Sequence, residues 1–180
     1  MVTVLKRLIS GNQLYLNSSV NNGDISPSVR VETSKNGQHP YAVVVTCSDS
    51  RVIPEAIFSA GIGELFVIRV AGNVIGEHEL GSIEYAVEHL GCKLIVVLGH
   101  THCGAVGAAI AGVNDGHVAS LTGEIRKAIG NEKDDLQACI LNVNAGVNKI
   151  SESLKMDCDT KAIGAVYDIE SGKVSFEMSI

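Results

Sequence analysis

The stretch Leu98-Gly99-His100-Thr101-His102-Cys103-Gly104 places two imidazoles and a thiol side by side, directly after the apolar run Leu94-Ile95-Val96-Val97. A second segment, Thr46-Cys47-Ser48-Asp49-Ser50-Arg51, follows another apolar run and offers a thiol, a carboxylate and a guanidinium. Two cysteines and a histidine can supply three borderline-soft ligands, the number a catalytic zinc uses while leaving its fourth tetrahedral position to water. Other uses compete. A cysteine beside a histidine base is a nucleophilic pair, although that use leaves the second thiol unexplained. A cysteine after a buried strand is often a small core hydrophobe, and a loop histidine is often merely solvated. The metal reading gains because both segments follow strand-like runs, and ligands of open α/β sheets bind at the carboxyl ends of strands.

Asp49 and Arg51 stand two and four residues after Cys47, so an extended segment would project all three side chains from one face. A carboxylate beside a metal can accept a hydrogen bond from the nucleophile and orient it, and a forked guanidinium keeps that carboxylate ionised and fixed. An isolated surface pair of the same kind contributes little.

The elements that must position these groups follow from pattern. Helical spacing covers roughly Val2 to Tyr15, and a polar stretch rich in Ser, Asn and Gly runs from Asn17 to His39 as an arm or loop. Strand-like runs occupy Tyr41–Thr46, Glu64–Val70 and Lys93–Leu98, with a short helix near Pro54–Ala60 and a longer one near Glu79–Leu90. Runs of Val, Ile and Leu without polar alternation suit strands covered on both faces, and intervening helices supply the crossovers of a parallel sheet. A long amphipathic helix carries Leu136, Cys139, Ile140, Val143, Val147, Ile150 and Leu154. Ala162–Ile169, Ser171-Gly172 and Val174–Met178 read as a hairpin. The expected fold class is α/β: a mainly parallel central sheet flanked by helices, with an N-terminal helical arm and a C-terminal strand hairpin. At 180 residues the chain is expected to form a single domain, with residues 1–39 as helix and arm and 40–180 as α/β core.

Composition narrows the partners. A net charge of −6 without any Lys/Arg cluster argues against nucleic acid, which requires a basic face. The apolar runs are strand-sized, which argues against membrane spans. Lys6 and Arg7 lie inside an amphipathic pattern and not ahead of an apolar signal core, and the five cysteines lack framework spacing, so a cytoplasmic protein without disulfides is expected. Cys92, Cys139 and Cys158 read as packing residues. His39, His78, His89 and His117 are scattered at polar boundaries. Gly104 and Gly107 are expected to let a helix approach the sheet closely.

Cys47-Ser48-Asp49-Ser50-Arg51 and His100-Thr101-His102-Cys103 match the Cys-x-Asp-x-Arg and His-x-x-Cys motifs of the β-class carbonic anhydrases, and the chain resembles that family further through "ELFVIRVAGN" and "GSIEYAVEHLG". The resemblance is tight over about Gln38 to Gly107. It implies one Zn2+ per chain on Cys47, His100 and Cys103, with His102 left as a non-ligand, and a zinc-bound hydroxide attacking carbon dioxide to give bicarbonate and a proton. It implies Asp49 and Arg51 as catalytic residues and Gln38, Phe66, Ala71 and Tyr85 as the substrate pocket. It also implies assembly into a homodimer or homotetramer whose pockets are lined from both chains, and an open site with Asp49 off the metal, because closing relatives use a tryptophan and this chain has none. His102 is a candidate proton acceptor. Two thiolates cancel the dication's charge, so activity favouring alkaline pH is expected. Two other readings remain at this level: hydrolysis of an analogue such as carbonyl sulfide or carbon disulfide, and a non-catalytic zinc module.

Overall fold

The computed structural model describes residues 2–18, 20–155 and 157–176. Its centre is a five-stranded sheet of β1 (Ala42–Thr46), β2 (Leu65–Arg69), β3 (Leu94–His100), β4 (Lys161–Tyr167) and β5 (Val174–Ser175), in the order β2-β1-β3-β4-β5. The first four strands are parallel and β5 is antiparallel to β4, as the hairpin pattern predicts. The end of that expected hairpin, Glu177 and Met178, lies outside the described residues.

Period-two alternation explains why the strands look uniformly apolar. Val43, Val45, Ile95 and Val97 face one side, against α4 (Glu77–Glu88) and α7 (Asp135–Ser153) through Ile83, Cys139, Val143 and Ile150. Val44, Val96 and Leu98 face the other, against α1 (Val2–Asn17) and α3 (Pro54–Ile57) through Leu8 and Ile57. Both faces are covered, so a polar side chain on β1 or β3 is costly unless a partner satisfies it. Thr46 meets that condition by donating its hydroxyl to the Leu98 carbonyl at 2.7 Å.

The N-terminal helix docks on its own chain and does not extend as a free arm. Leu8 is fully buried, and Asn12 joins three elements. Its amide nitrogen donates to the carbonyls of Ile57 and Gly172, and its carbonyl oxygen accepts from the Val174 N–H. Asn12→Ala is expected to strand these groups and cost about 3 kcal/mol. For a chain of this size that is a fall in Tm of about 10 °C, to be read by thermal unfolding of the purified protein.

The polar stretch 17–39 differs from expectation, since it contains α2 (Pro27–Asn36). Ser26 caps this helix by accepting from the Val29 N–H, and Pro27 opens it, but none of its residues is buried. With no face to bury it carries no apolar period, which is the signal a sequence reading uses. Two further helices, α5 (Gly104–Ile110) and α6 (Val118–Ile129), follow β3, and α6 is absent from the expected elements. Gly104 and Gly107 turn out to have open space where a side chain would stand. The close approach is at Gly99 instead, where a Cβ would come within 2.5 Å of Val143 and 2.8 Å of the Cys139 sulfur. Glycine there lets α7 press on the end of β3, next to His100.

Candidate metal centre

β1 and β3 are neighbours in register, with Thr46 opposite Leu98, so the segments that follow them converge at one end of the sheet. Cys47 and Cys103 are buried with their sulfurs 4.0 Å apart, and the ligand atoms of Cys47, His100 and Cys103 all lie within 4.8 Å of one another. A tetrahedral ion with Zn–S bonds of about 2.3 Å requires sulfurs about 3.8 Å apart, so the pair is spaced for one. His100 has no solvent exposure. Its Nδ1–H donates to the Thr101 carbonyl at 2.9 Å, which leaves Nε2 as the lone-pair nitrogen. That Nε2 is buried with no hydrogen-bond partner. An orphaned acceptor beside two buried thiols is what a cation would satisfy, and the donor set fits Zn2+.

The thiols interact strongly. Hydrogen bonding from Cys103, with help from the N–H groups of Gly72 and Asp49, holds Cys47 down at about 4 against the opposing effect of burial. Cys103 is pushed far above the usual thiol range by the same contact and by burial. Two thiols at this distance therefore share one proton, which a dication would displace. The backbone supports Cys47 directly, with the Gly72 N–H at 3.2 Å and the Asp49 N–H at 3.4 Å from its sulfur. Asn142 on α7 holds Gly72 by donating to its carbonyl at 2.8 Å. Gly72 and Asn142 escape a reading by ligand type. The only sequence signal for Asn142 is an amide among the apolar positions Cys139, Val143 and Val147.

Asp49 and Arg51 do meet, but through a turn and not an extended segment. The chain leaves β1 after Thr46, the Val52 N–H bonds to the Asp49 carbonyl, and the Arg51 N–H bonds to Asp49 Oδ1 at 3.0 Å. The Arg51 fork then closes on the carboxylate, Nε to Oδ1 at 3.0 Å and Nη2 to Oδ2 at 2.8 Å. This contact holds the Asp49 carboxyl well below the usual carboxylate range. Asp49 Oδ2 stands 3.9 Å from His100 Nε2, at the edge of the metal position. Arg51 Nη2 also donates to the His102 carbonyl at 3.1 Å, tying the two ligand loops together. His102 itself points outward, with φ +55 and its N–H on Asp135 Oδ2 at 2.8 Å.

The expected pocket residues separate. Ala71 lies in the 3-10 turn Ala71–Asn73 that carries Gly72, beside the thiols. Gln38 is exposed before β1, in a surface recess with Arg30, Thr33 and Gly63. It sits at the opposite end of the sheet from Cys47, separated by the five residues of β1, or about 17 Å. Phe66 is near the start of β2 and packs against Tyr85, whose ring also meets His89. Of the remaining cysteines, Cys92 and Cys139 are buried as packing residues, whereas Cys158 is exposed, contrary to expectation.

The family model described as carbonic anhydrase matches residues 42–174. The solved structures of two tetrameric β-carbonic anhydrases from Sordaria macrospora match with a TM-score of 0.72 at 25% identity, covering 83% of this chain and 86% of theirs. The chain belongs to the β-class carbonic anhydrases. A carbonic anhydrase 2 of Mycobacterium tuberculosis is 48% identical over 115 residues, 64% of this chain, and the match spans only 55% of that relative's length. A carbonic anhydrase of Mycolicibacterium smegmatis is 39% identical over 154 residues, 84% of this chain and 70% of the relative. Of the site and pocket residues expected from the sequence, all except Gln38 fall inside the span matched by the carbonic anhydrase family model.

Proposed function

We propose that this chain catalyses the reversible hydration of carbon dioxide to bicarbonate and a proton, with one Zn2+ held by Cys47, His100 and Cys103. The observation that carries this reading is the buried Cys–His–Cys set with its orphaned His100 Nε2, standing beside a forked Asp49–Arg51 pair. When bound, the metal supplies a Lewis acid that makes a water nucleophilic near neutral pH. The chain's residues do the rest. Asp49, held ionised by Arg51, accepts a hydrogen bond at Oδ2 and so orients the nucleophile. Arg51 locks the rotamer of Asp49 and the spacing of the two loops. Ala71 contributes an apolar surface where carbon dioxide can lie.

Gln38, Phe66 and Tyr85 belong to the pocket only if a second copy brings them to it, which favours a homodimer or homotetramer. Half-exposed Tyr85 and the recess around Gln38 suit such a contact. No helix among the described residues is long and apolar enough to cross a membrane, and the cytoplasm is the compartment we infer. A non-catalytic zinc module accounts less well for the site, because closed structural sites use four protein ligands and need no carboxylate–guanidinium pair.

The deciding experiment is stopped-flow hydration of carbon dioxide by the zinc-loaded protein, with carbonyl sulfide turnover measured in parallel. Carbon dioxide turnover is expected to dominate, and to rise with pH above neutrality because two thiolates offset the metal's charge. Preferred turnover of carbonyl sulfide would move the assignment to the analogue hydrolases, and a rate already flat below neutral pH would contradict the charge argument.

A further inference from the structure

Arg69 ends β2, opposite Thr46 in the register, and its side chain reaches across the end of β1. Its Nε donates to the Cys47 carbonyl at 3.1 Å, and its Nη2 donates to the Asp49 carbonyl at 2.6 Å. No carboxylate forms an ion pair with it among the described residues. Its donors are therefore given to two backbone carbonyls, one belonging to a candidate metal ligand and the other to the carboxylate beside it.

We propose that Arg69 is a positioning residue that sets the loop carrying Cys47 and Asp49. The physical reason lies in the loop's path. After Thr46 the chain leaves the ladder, so the Cys47 carbonyl loses the partner a strand would offer and the Asp49 carbonyl keeps only the turn bond from the Val52 N–H at 3.0 Å. The planar guanidinium joins the two carbonyls through one rigid group, and charge-assisted bonds to carbonyls are stronger than neutral ones. The loop is thereby pinned on both sides. Arg51 ties it to the His102 carbonyl on the β3 side, and Arg69 ties it to β2. Between these two pins the Cys47 sulfur meets the Gly72 and Asp49 N–H groups, and Asp49 presents Oδ2 toward His100. Releasing Arg69 frees the peptide plane after Cys47 and leaves the one after Asp49 held by the Val52 N–H alone, so the sulfur and the carboxylate loosen together. A lysine keeps the charge but cannot span two carbonyls as a fork.

The test uses Arg69→Ala and Arg69→Lys in the full-length chain, each loaded with Zn2+. The first readout is the rate of Zn2+ release to a chromogenic chelator, which is independent of the proposed activity. Both variants are expected to release metal about 10- to 100-fold faster than the parent, with free guanidinium slowing release from Arg69→Ala alone. The second readout rests on the carbon dioxide reading: kcat is expected to fall by a similar factor with KM little changed, and the loss to shrink in an Asp49→Asn background because both act through one loop. If the parent hydrates no carbon dioxide, the functional reading fails, and metal release still judges Arg69. Release within twofold of the parent in Arg69→Ala, or release equally fast with and without guanidinium, would overturn the positioning role. A variant that unfolds is replaced by Arg69→Lys, in which the charge and stem are kept.

Discussion

Removing the metal with a chelator is expected to bring carbon dioxide hydration down to the rate of buffer alone, a loss of at least about 10⁴-fold, with full recovery on adding Zn2+ back. Little in the site besides the metal can make a nucleophile of water near neutral pH. The buried thiols and His100 face one another, and the remaining groups hold or orient. Cys103→Ser and His100→Gln are expected to show the same loss, because each leaves only two strong ligands and still fills the volume. Metal analysis by mass spectrometry checks that activity tracks zinc content. The pH dependence of binding has a definite sign. In the metal-free site Cys47 is held down at about 4 by its contact with Cys103, whereas Cys103 is pushed up and keeps the shared proton. Zn2+ must displace that proton, so apparent affinity falls as pH falls, by about tenfold per unit for each proton released. Competition titrations at several pH values read this slope. A flat profile would mean that the thiols are not the ligands.

Asp49→Asn is expected to lower kcat by about 10²- to 10³-fold while zinc content stays at one per chain. The amide is nearly isosteric and can still meet Arg51 at one oxygen, so loss of activity reports the carboxylate's charge and its acceptor capacity, not a collapsed loop. Arg51→Lys is expected to cost less, about tenfold, because a point charge keeps Asp49 ionised but gives up the fork and the bond to the His102 carbonyl. The sign of the pH effect follows from the same contact. Arg51 holds the Asp49 carboxyl far below its ordinary value, so the carboxylate is present throughout the neutral range and its contribution disappears only on strong acidification. Arg51→Lys should move that acidic limb upward toward the ordinary carboxylate range. Zinc-normalised kcat across pH, for parent and both variants, is the measurement. An Asp49→Asn enzyme as active as the parent would remove Asp49 from the reaction.

The pairing of Asp49 with Arg51 is instructive, because the contact anticipated from spacing exists for a different reason. Two-residue spacing would align the side chains along a strand, but the strand stops at Thr46 and an Asx-type turn brings them together. The dyad was legible from residue types alone, and its geometry was not. The same holds for the pocket: Ala71 lies beside the thiols, while Gln38 and Phe66 lie toward the far end of the sheet.

By itself the sequence determined the sheet and the candidate ligands. Apolar runs at 41–45 and 94–98, of strand length and rich in Val and Ile, read as strands covered on both faces, and side-chain chemistry marks Cys47, His100 and Cys103 as metal-competent. Only the tertiary structure decided which backbone groups complete the site. The Gly72 N–H on the Cys47 sulfur and the carbonyls held by Arg69 belong to groups that every residue possesses, so no residue type announces them. The docking of α1 through Asn12 was hidden for a related reason. A single buried amide looks like any polar residue until the carbonyls of Ile57 and Gly172 and the N–H of Val174 are folded around it.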